Sequence, residues 1–358
     1  MKNDMVVRVG ARAVDVGYFN VKYTLGRKEE RGSNVIAAGM FPSLAPILKT
    51  GAARSLQGAP SADGCTVTIN GVSFFVGRGA VHNSKGIEPR PVSEEYCLSD
   101  KYLALLRGAL FYMAKDAGAS YEMVIPQLVL GLPLNTYFLY DAQLAERVVG
   151  EHVFSSPLGA GECRVTVERA EVIVQPAGAL INFGVRNGRN EDGVSLVIDP
   201  GGGTLDWYLT SGGVPNLERS GAYPKAMLAC AFAVADKLNP RWRDQFAIVD
   251  KIDKALREKA PSFNVQGRDY ELSDHWAIVD QVVEESVNQM LSAVGITDDI
   301  DHILLTGGGA GVFREHLLRK LPQLGDVMKV DQDSVYSNVR GFQVYGEHLC
   351  GTAAQRKN

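Results

Sequence analysis

The chain has 358 residues, long enough for roughly two domains at about 150 residues each. With 46% hydrophobic and 22% charged residues it can bury sizeable cores, which excludes a disordered chain. Its 37 Lys+Arg against 41 Asp+Glu give a net charge of -4, and no basic run exceeds a pair, which argues against direct binding to a nucleic-acid phosphate backbone.

The N-terminal stretch MKNDMVVRVGARAVDVG lacks the apolar core of a signal peptide, and no window approaches 18 uninterrupted apolar residues. The expectation is a soluble cytoplasmic protein without a membrane partner. Strand-like runs follow at 6–14 and 21–25, and then CTVTI and VSFFVG, joined by Asn70-Gly71, read as a hairpin. Leu103, Leu106, Leu110 and Met113 recur at helical spacing and predict a helix over 100–117. A strand at 127–131 and a helix near 137–149 complete the first half. Around residue 170 the pattern restarts, with VSLVID, TLDWYLT, helices from about Pro224, over 241–258 and over 275–294, and then the strand HILLT. Each half thus opens with a hydrophobic strand, an aspartate-glycine turn and a second strand, which suggests a duplication. The five cysteines, Cys65, Cys97, Cys163, Cys230 and Cys350, form no CxxC pair, which fits reduced, packed thiols and suggests no zinc site.

Three glycine-containing turns carry the chemistry. In VDVGYFNVKYT, Asp15 ends one strand and Lys22 lies seven positions on in the next, so a hairpin folds the lysine back beside the aspartate and the bare backbone of Gly17, with Asn20 between. A carboxylate for the water of a magnesium ion, open N–H groups and a lysine charge make a phosphate cradle. A surface hairpin with an incidental ion pair is the plainer alternative. In VIDPGGGTLDWYLT, Asp199 is followed by Gly201, Gly202, Gly203 and Thr204. Three glycines sacrifice packing and entropy, which a phosphate approaching bare N–H groups would repay, although a tight hairpin alone also accounts for them. In ILLTGGGAGVFREHLLRKL a buried strand delivers Gly307, Gly308 and Gly309 to a helix N-terminus, where N–H groups and the helix dipole face a ligand. The spacing is neither GxGxxG nor GxxxxGK[ST].

In this order the three turns resemble the actin-like ATPase superfamily, which includes sugar kinases and chaperone ATPases. That resemblance implies an α/β protein of actin-like fold, two duplicated RNase H-like domains around a nucleotide cleft, with the two hairpins clasping the phosphates and the third turn against adenosine. A connecting element is expected just before the second hairpin, and VIVQPAGALINFG lies there, placing Gln175 where related sequences position the attacking water. The plainer reading of Gln175-Pro176 is a strand-to-helix junction. The stretches DVGYFNVKYT, FFVGRGA, LVLGLPLNTY, QPAGA, IDPGGGTLDW, LLTGGGA and YSNVRGFQVYG are similar, in order and spacing, to the plasmid-partition actins of the ParM/StbA family, including the D protein of PRTRC cassettes. Pro200 and Tyr18-Phe19 depart from that pattern and bear on hydrolysis rate and metal geometry.

The resemblance implies a domain over 1–168 to which a C-terminal helix at 337–358 returns, and a second domain over 169–336. It implies ATP and Mg2+ as cofactors. Gln175, Asp199 and Asp15 would be catalytic, and Asp15 and Asp199 would hold the metal through water. Gly17, Asn20, Lys22, Gly201–Gly203, Thr204 and Gly307–Gly309 would bind the nucleotide. The partners implied are the chain itself, in a filament, and a DNA-binding adaptor at a plasmid centromere. Two alternatives are an actin-fold small-molecule kinase, for which no substrate aspartate is identifiable, and a nucleotide-dependent scaffold, whose amphipathic membrane tail is not matched by CGTAAQRKN. His302, Trp207 and Trp276 are expected to be structural, and the loop at 86–96 an ordinary loop or a filament contact.

Overall fold

A computed structural model of the chain describes residues 6–48, 62–87, 93–156, 161–187 and 193–355, without the side chains of 353–355. Two five-stranded mixed sheets organise it. In the first, Asn20–Glu30 runs antiparallel to both Arg12–Val16 and Ser33–Pro42, while Leu128–Leu132 and then Ala170–Val174 extend the sheet in parallel beyond Arg12–Val16. In the second, Leu205–Ser211 runs antiparallel to both Val194–Pro200 and Val214–Tyr223, while His302–Leu305 and Met328–Val330 extend the sheet in parallel beyond Val194–Pro200. The same meander followed by two parallel strands therefore occurs twice, as the repeated opening motif leads one to expect.

Parallel strands end up covered on both faces, and Leu128–Leu132 is accordingly buried at every position. The covering helices are α1 (Asp100–Asp116), α2 (Leu134–Val148), α3 (Gln175–Asn187), α4 (Met227–Leu238), α5 (Phe246–Glu258), α6 (Trp276–Val294), α7 (Ala310–Lys320) and α8 (Ser337–Gln355). The start of α1 is set by Ser99, whose hydroxyl oxygen accepts the Tyr102 N–H and satisfies one of the first-turn donors. Helix α5 stops at Lys259, which takes the left-handed conformation at φ 50°. The Asn70-Gly71 hairpin forms as expected, with positive φ at both residues.

Two main cores result. Val14, Tyr23, Phe41, Leu106, Leu110 and Leu130 belong to the first, and Leu196, Ile198, Leu209, Val234, Ile252 and Phe313 to the second. One residue crosses over: Phe19, at the tip of the first hairpin, is 7% exposed and packs in the second core. Trp207 and Trp276 also pack there, as expected of structural aromatics.

Several boundaries differ from the sequence reading. Residues 6–14 are not one strand: Val7–Arg8 pairs with Glu122–Ile125 in a separate four-stranded sheet, and the chain restarts at Arg12. The expected helix over 241–258 is split, because Asn239 caps a short 3-10 turn with proline at its start, and α5 opens only at Phe246. The strand at 170–174 pairs with Leu128–Leu132, so the first sheet runs past residue 168 to Val174, and α8 packs on that same sheet. Of the loop at 86–96, residues 88–92 lie outside the described residues, and Glu94–Leu98 is a 3-10 turn.

Candidate functional site

The two hairpins converge on a cavity of about 620 Å3. Its wall includes Asp15, Gly17, Asn20 and Lys22 from the first hairpin, Asp199, Gly201–Gly203 and Thr204 from the second, and Gln175, Gly307 and Gly308. Of the residues expected at the site, only Gly309 is not on the wall. Its N–H donates to the Pro200 carbonyl at 2.9 Å, and the residue is the N-cap of α7.

Strand pairing sets the first cradle. Asp15 lies opposite Lys22 across the antiparallel ladder, and the Lys22 ammonium donates to Asp15 Oδ2 at 3.0 Å. Burial pulls the Lys22 ammonium down, but the charge and hydrogen bond of Asp15, with Asp199 beyond, outweigh it and hold its pKa above the ordinary lysine value. The turn closes through Gly17 N–H to the Asn20 carbonyl at 3.1 Å. From the opening residue of α3, the Gln175 amide nitrogen donates to Asp15 Oδ1 at 2.7 Å. Both oxygens of Asp15, a residue 1% exposed, are thus engaged.

The second cradle repeats this geometry with different chemistry. Asp199 lies opposite Asp206, the residue that occupies the Lys22 position of the duplicated hairpin. Asp206 Oδ2 accepts the Thr204 hydroxyl at 2.5 Å, and its Oδ1 accepts the Leu134 N–H at 3.2 Å, at the first turn of α2. Burial pushes the Asp206 carboxyl up to about 7, although the bonds from Thr204 and Leu134 pull the other way and the charge of Asp199 adds to the rise. Asp199 is pushed up to about 6 by burial, moderated by the Asn338 amide, which donates to its Oδ2 at 2.6 Å, and by Lys22. Gly201 N–H closes this turn onto the Thr204 carbonyl at 2.9 Å. Among the described residues the amides of Gly202 and Gly203 have no acceptor, so two donors sit on the cavity wall. Gly307, at φ +77°, lies so close to the Asp199 carboxylate that any side chain there would overlap it.

Asp206 and Asn338 escaped the sequence reading. A signal for Asp206 existed: it follows Asp199 by the seven positions that separate Lys22 from Asp15. Met227 of α4 and Asp253 and Arg257 of α5 also line the wall, with Arg257 Nε donating to Asp253 Oδ2 at 2.7 Å. Among the described residues no group of three His, Cys, Asp or Glu side chains forms a metal cluster.

Two duplicated hairpins meeting over one cavity between two sheets of identical topology decide the architecture, and residues 13–178 match the family model described as actin-like proteins N-terminal domain. The fold is actin-like. Among solved structures, an apo ParM protein of pSK41 aligns with 96% of this chain and 98% of its own at 18% identity and a TM-score of 0.64. An archaeal actin homologue in complex with ADP aligns with 96% of this chain and 100% of its own at 18% identity and a TM-score of 0.69. A ParM of a 15-stranded filament from Clostridium botulinum aligns with 94% of this chain and 99% of its own at 17% identity and a TM-score of 0.70. At these identities the likeness is one of fold. No curated protein matches the sequence. Among the described residues no helix of this actin-like chain is long and apolar enough to cross a membrane.

Proposed function

We propose that the chain is an actin-like ATPase that binds Mg2+-ATP in this cavity, polymerises, and moves plasmid DNA through a separate adaptor. One observation carries the reading: Asp15 with Lys22, and Asp199 with the free Gly202 and Gly203 amides, face one cavity from duplicated hairpins. Cation, anion-binding backbone and paired carboxylates are the elements that phosphoryl transfer asks of a protein. The solved archaeal homologue with ADP and the ParM filament support nucleotide binding and self-assembly as the shared use of the fold.

The buried, oxygen-only donor set of Asp15 and Asp199 suits a magnesium ion held through its water. Such an ion would neutralise phosphate charge. Lys22 would bind the β- or γ-phosphate, the Gly202 and Gly203 amides would hold phosphate oxygens, and Gly307 and Gly308 would flank the adenosine near Arg257 and Met227. Gln175 is not a strong base. Its amide nitrogen is committed to Asp15, leaving its carbonyl oxygen to orient a water for in-line attack, so monomer turnover is slow. Domain closure on nucleotide would reorient two rigid bodies and favour a head-to-tail contact whose rotation does not close, producing an open polymer. The net charge of -4 and the lack of a basic run leave DNA to the adaptor. A cytoplasmic location belongs to the same proposal.

Calorimetry tests the binding step: wild type should take up Mg2+-ATP, and Lys22→Ala and Asp199→Ala should bind it much more weakly. Wild-type affinity in both variants would overturn the assignment.

A further inference from the structure

Two carboxamides in the cavity stand in equivalent places. Gln175 is the opening residue of α3 and donates to Asp15; Asn338 is the second residue of α8 and donates to Asp199. Three residues beyond each lies a glycine, Gly178 and Gly341. The two glycines meet where the helices cross: a Cβ on Gly341 would lie 2.8 Å from the Gly178 Cα and would overlap its carbonyl group. A Cβ on Gly178 would in turn lie 2.6 Å from the Asn338 carbonyl oxygen. An amide-x-x-glycine pattern thus occurs in both connecting helices. The glycines let the helices cross backbone to backbone, and the crossing lays one amide on each hairpin carboxylate.

The two amides differ in one respect. Asn338 is 8% exposed, lines the cavity, and its Oδ1 is buried without a hydrogen-bond partner. The amide orientation is fixed by chemistry, because an ionised Asp199 only accepts and so must face the nitrogen. Among the described residues nothing answers the oxygen. A buried carbonyl left unpaired is destabilising, and a bound donor in the cavity would relieve it. Asn338 also lies in the YSNVRGF stretch, to which no role attaches from sequence.

We propose that Asn338 is a positioning residue of the nucleotide site, the counterpart of Gln175, which orients Asp199 with its nitrogen and accepts with its oxygen from the water shell of a hydrated divalent cation. The proposal rests on the nucleotide reading above and adds a residue to it. Because the water of a bound cation is a strong donor with a fixed direction, an acceptor beside Asp199 favours the hydrated ion over the metal-free nucleotide.

The experiment is calorimetric titration of ATP into full-length wild type, Asn338→Ala, Asn338→Ser and Asn338→Leu, with excess Mg2+ and with EDTA, alongside a melting curve for each variant. The readout is the ratio of ATP affinity with Mg2+ to that with EDTA, taken within each variant. The gain on adding Mg2+ should fall at least tenfold in Ala and in Leu, and should be partly retained in Ser, which keeps an acceptor. If Leu, which keeps the branching at Cγ but has no acceptor, keeps the full Mg2+ gain, Asn338 is packing only and the proposal fails. Equal Mg2+ gains in Ala, Ser and wild type overturn it too, even if Leu does not fold. Wild type that binds no ATP under either condition overturns the nucleotide reading itself, and this proposal with it, so the two failures are distinct.

Discussion

Tyr18, at the tip of the first hairpin, packs against Gly203 of the second, so that a Cβ at position 203 would sit 2.7 Å from Tyr18 Cε2 and overlap the ring edge. The neighbouring contact is similar, with Phe19 Cδ2 2.9 Å from where a Cβ on Gly202 would be. Tyr18 is further held by its hydroxyl, which donates to the Ser93 carbonyl at 3.0 Å, and by stacking on Tyr96 at 4.8 Å. The aromatic pair that departs from the small residues expected in the first hairpin therefore bridges the two hairpins, and the glycines of the second provide the room.

Phe19→Ala removes an aromatic ring from the second core while leaving the first core intact. Deletion of a buried phenylalanine costs about 3–5 kcal/mol. The expected outcome is a loss at the low end of that range in chemical denaturation, because the ring sits at the cavity edge. Unchanged stability would show that the contact holds nothing.

Gly203→Ala should separate the hairpin tips, costing about 1–3 kcal/mol through overpacking, and should weaken nucleotide binding by moving the free Gly202 and Gly203 amides. The double variant Tyr18→Ala with Gly203→Ala, which restores the space, should recover part of both losses. Purely additive losses in the two variants would refute a direct clash.

The carboxyls of Asp206 and Asp199 titrate at about 7 and about 6 in the fold, against about 3.9 in an unfolded chain. Their folded values are raised, so the fold favours the protonated forms. Their contribution is therefore most favourable below about pH 4 and is lost as the pH rises to about 7. Asp206→Asn keeps an acceptor for the Leu134 N–H and removes the titration. Thermal melts from pH 5 to 8 should show a flatter profile for the variant. At pH 8 without nucleotide it should be the more stable protein, by something on the order of 2 kcal/mol. Profiles that run parallel would place the shift elsewhere.

Gln175→Ala should lower phosphate release well below that of wild type while leaving Mg2+-ATP affinity within a few-fold, because its proposed work is orienting water rather than holding nucleotide. Its bond to Asp15 predicts a modest binding effect at most. Hydrolysis at the wild-type rate would assign the water to another group.

The hairpins are legible in the sequence because strand periodicity and glycine runs are local signals, and the seven-residue spacing alone places Lys22 beside Asp15. The cavity residues of α4 and α5 were not legible. Met227, Asp253 and Arg257 sit on amphipathic helices where an inward-facing position looks the same whether it meets a core or a cavity. The strands Glu122–Ile125, Gly150–Ser155 and Glu162–Val167 are absent from the sequence reading, although ECRVTV at 162–167 alternates polar and apolar residues over six positions and carries a strand signal. The glycine crossing of α3 and α8 depends on residues more than 160 positions apart, and no local pattern announces such a contact.

Nucleotide-dependent assembly is the central claim, and sedimentation tests it most directly. Purified protein should be spun with Mg2+ and ATP, ADP, a non-hydrolysable ATP analogue or no nucleotide, beside Lys22→Ala. The account predicts pelleting above a critical concentration with ATP and the analogue, loss of the ATP pellet as ATP is consumed, and little pellet for Lys22→Ala under any condition. A protein that remains monomeric at high concentration with every nucleotide, or that pellets equally without one, would contradict it.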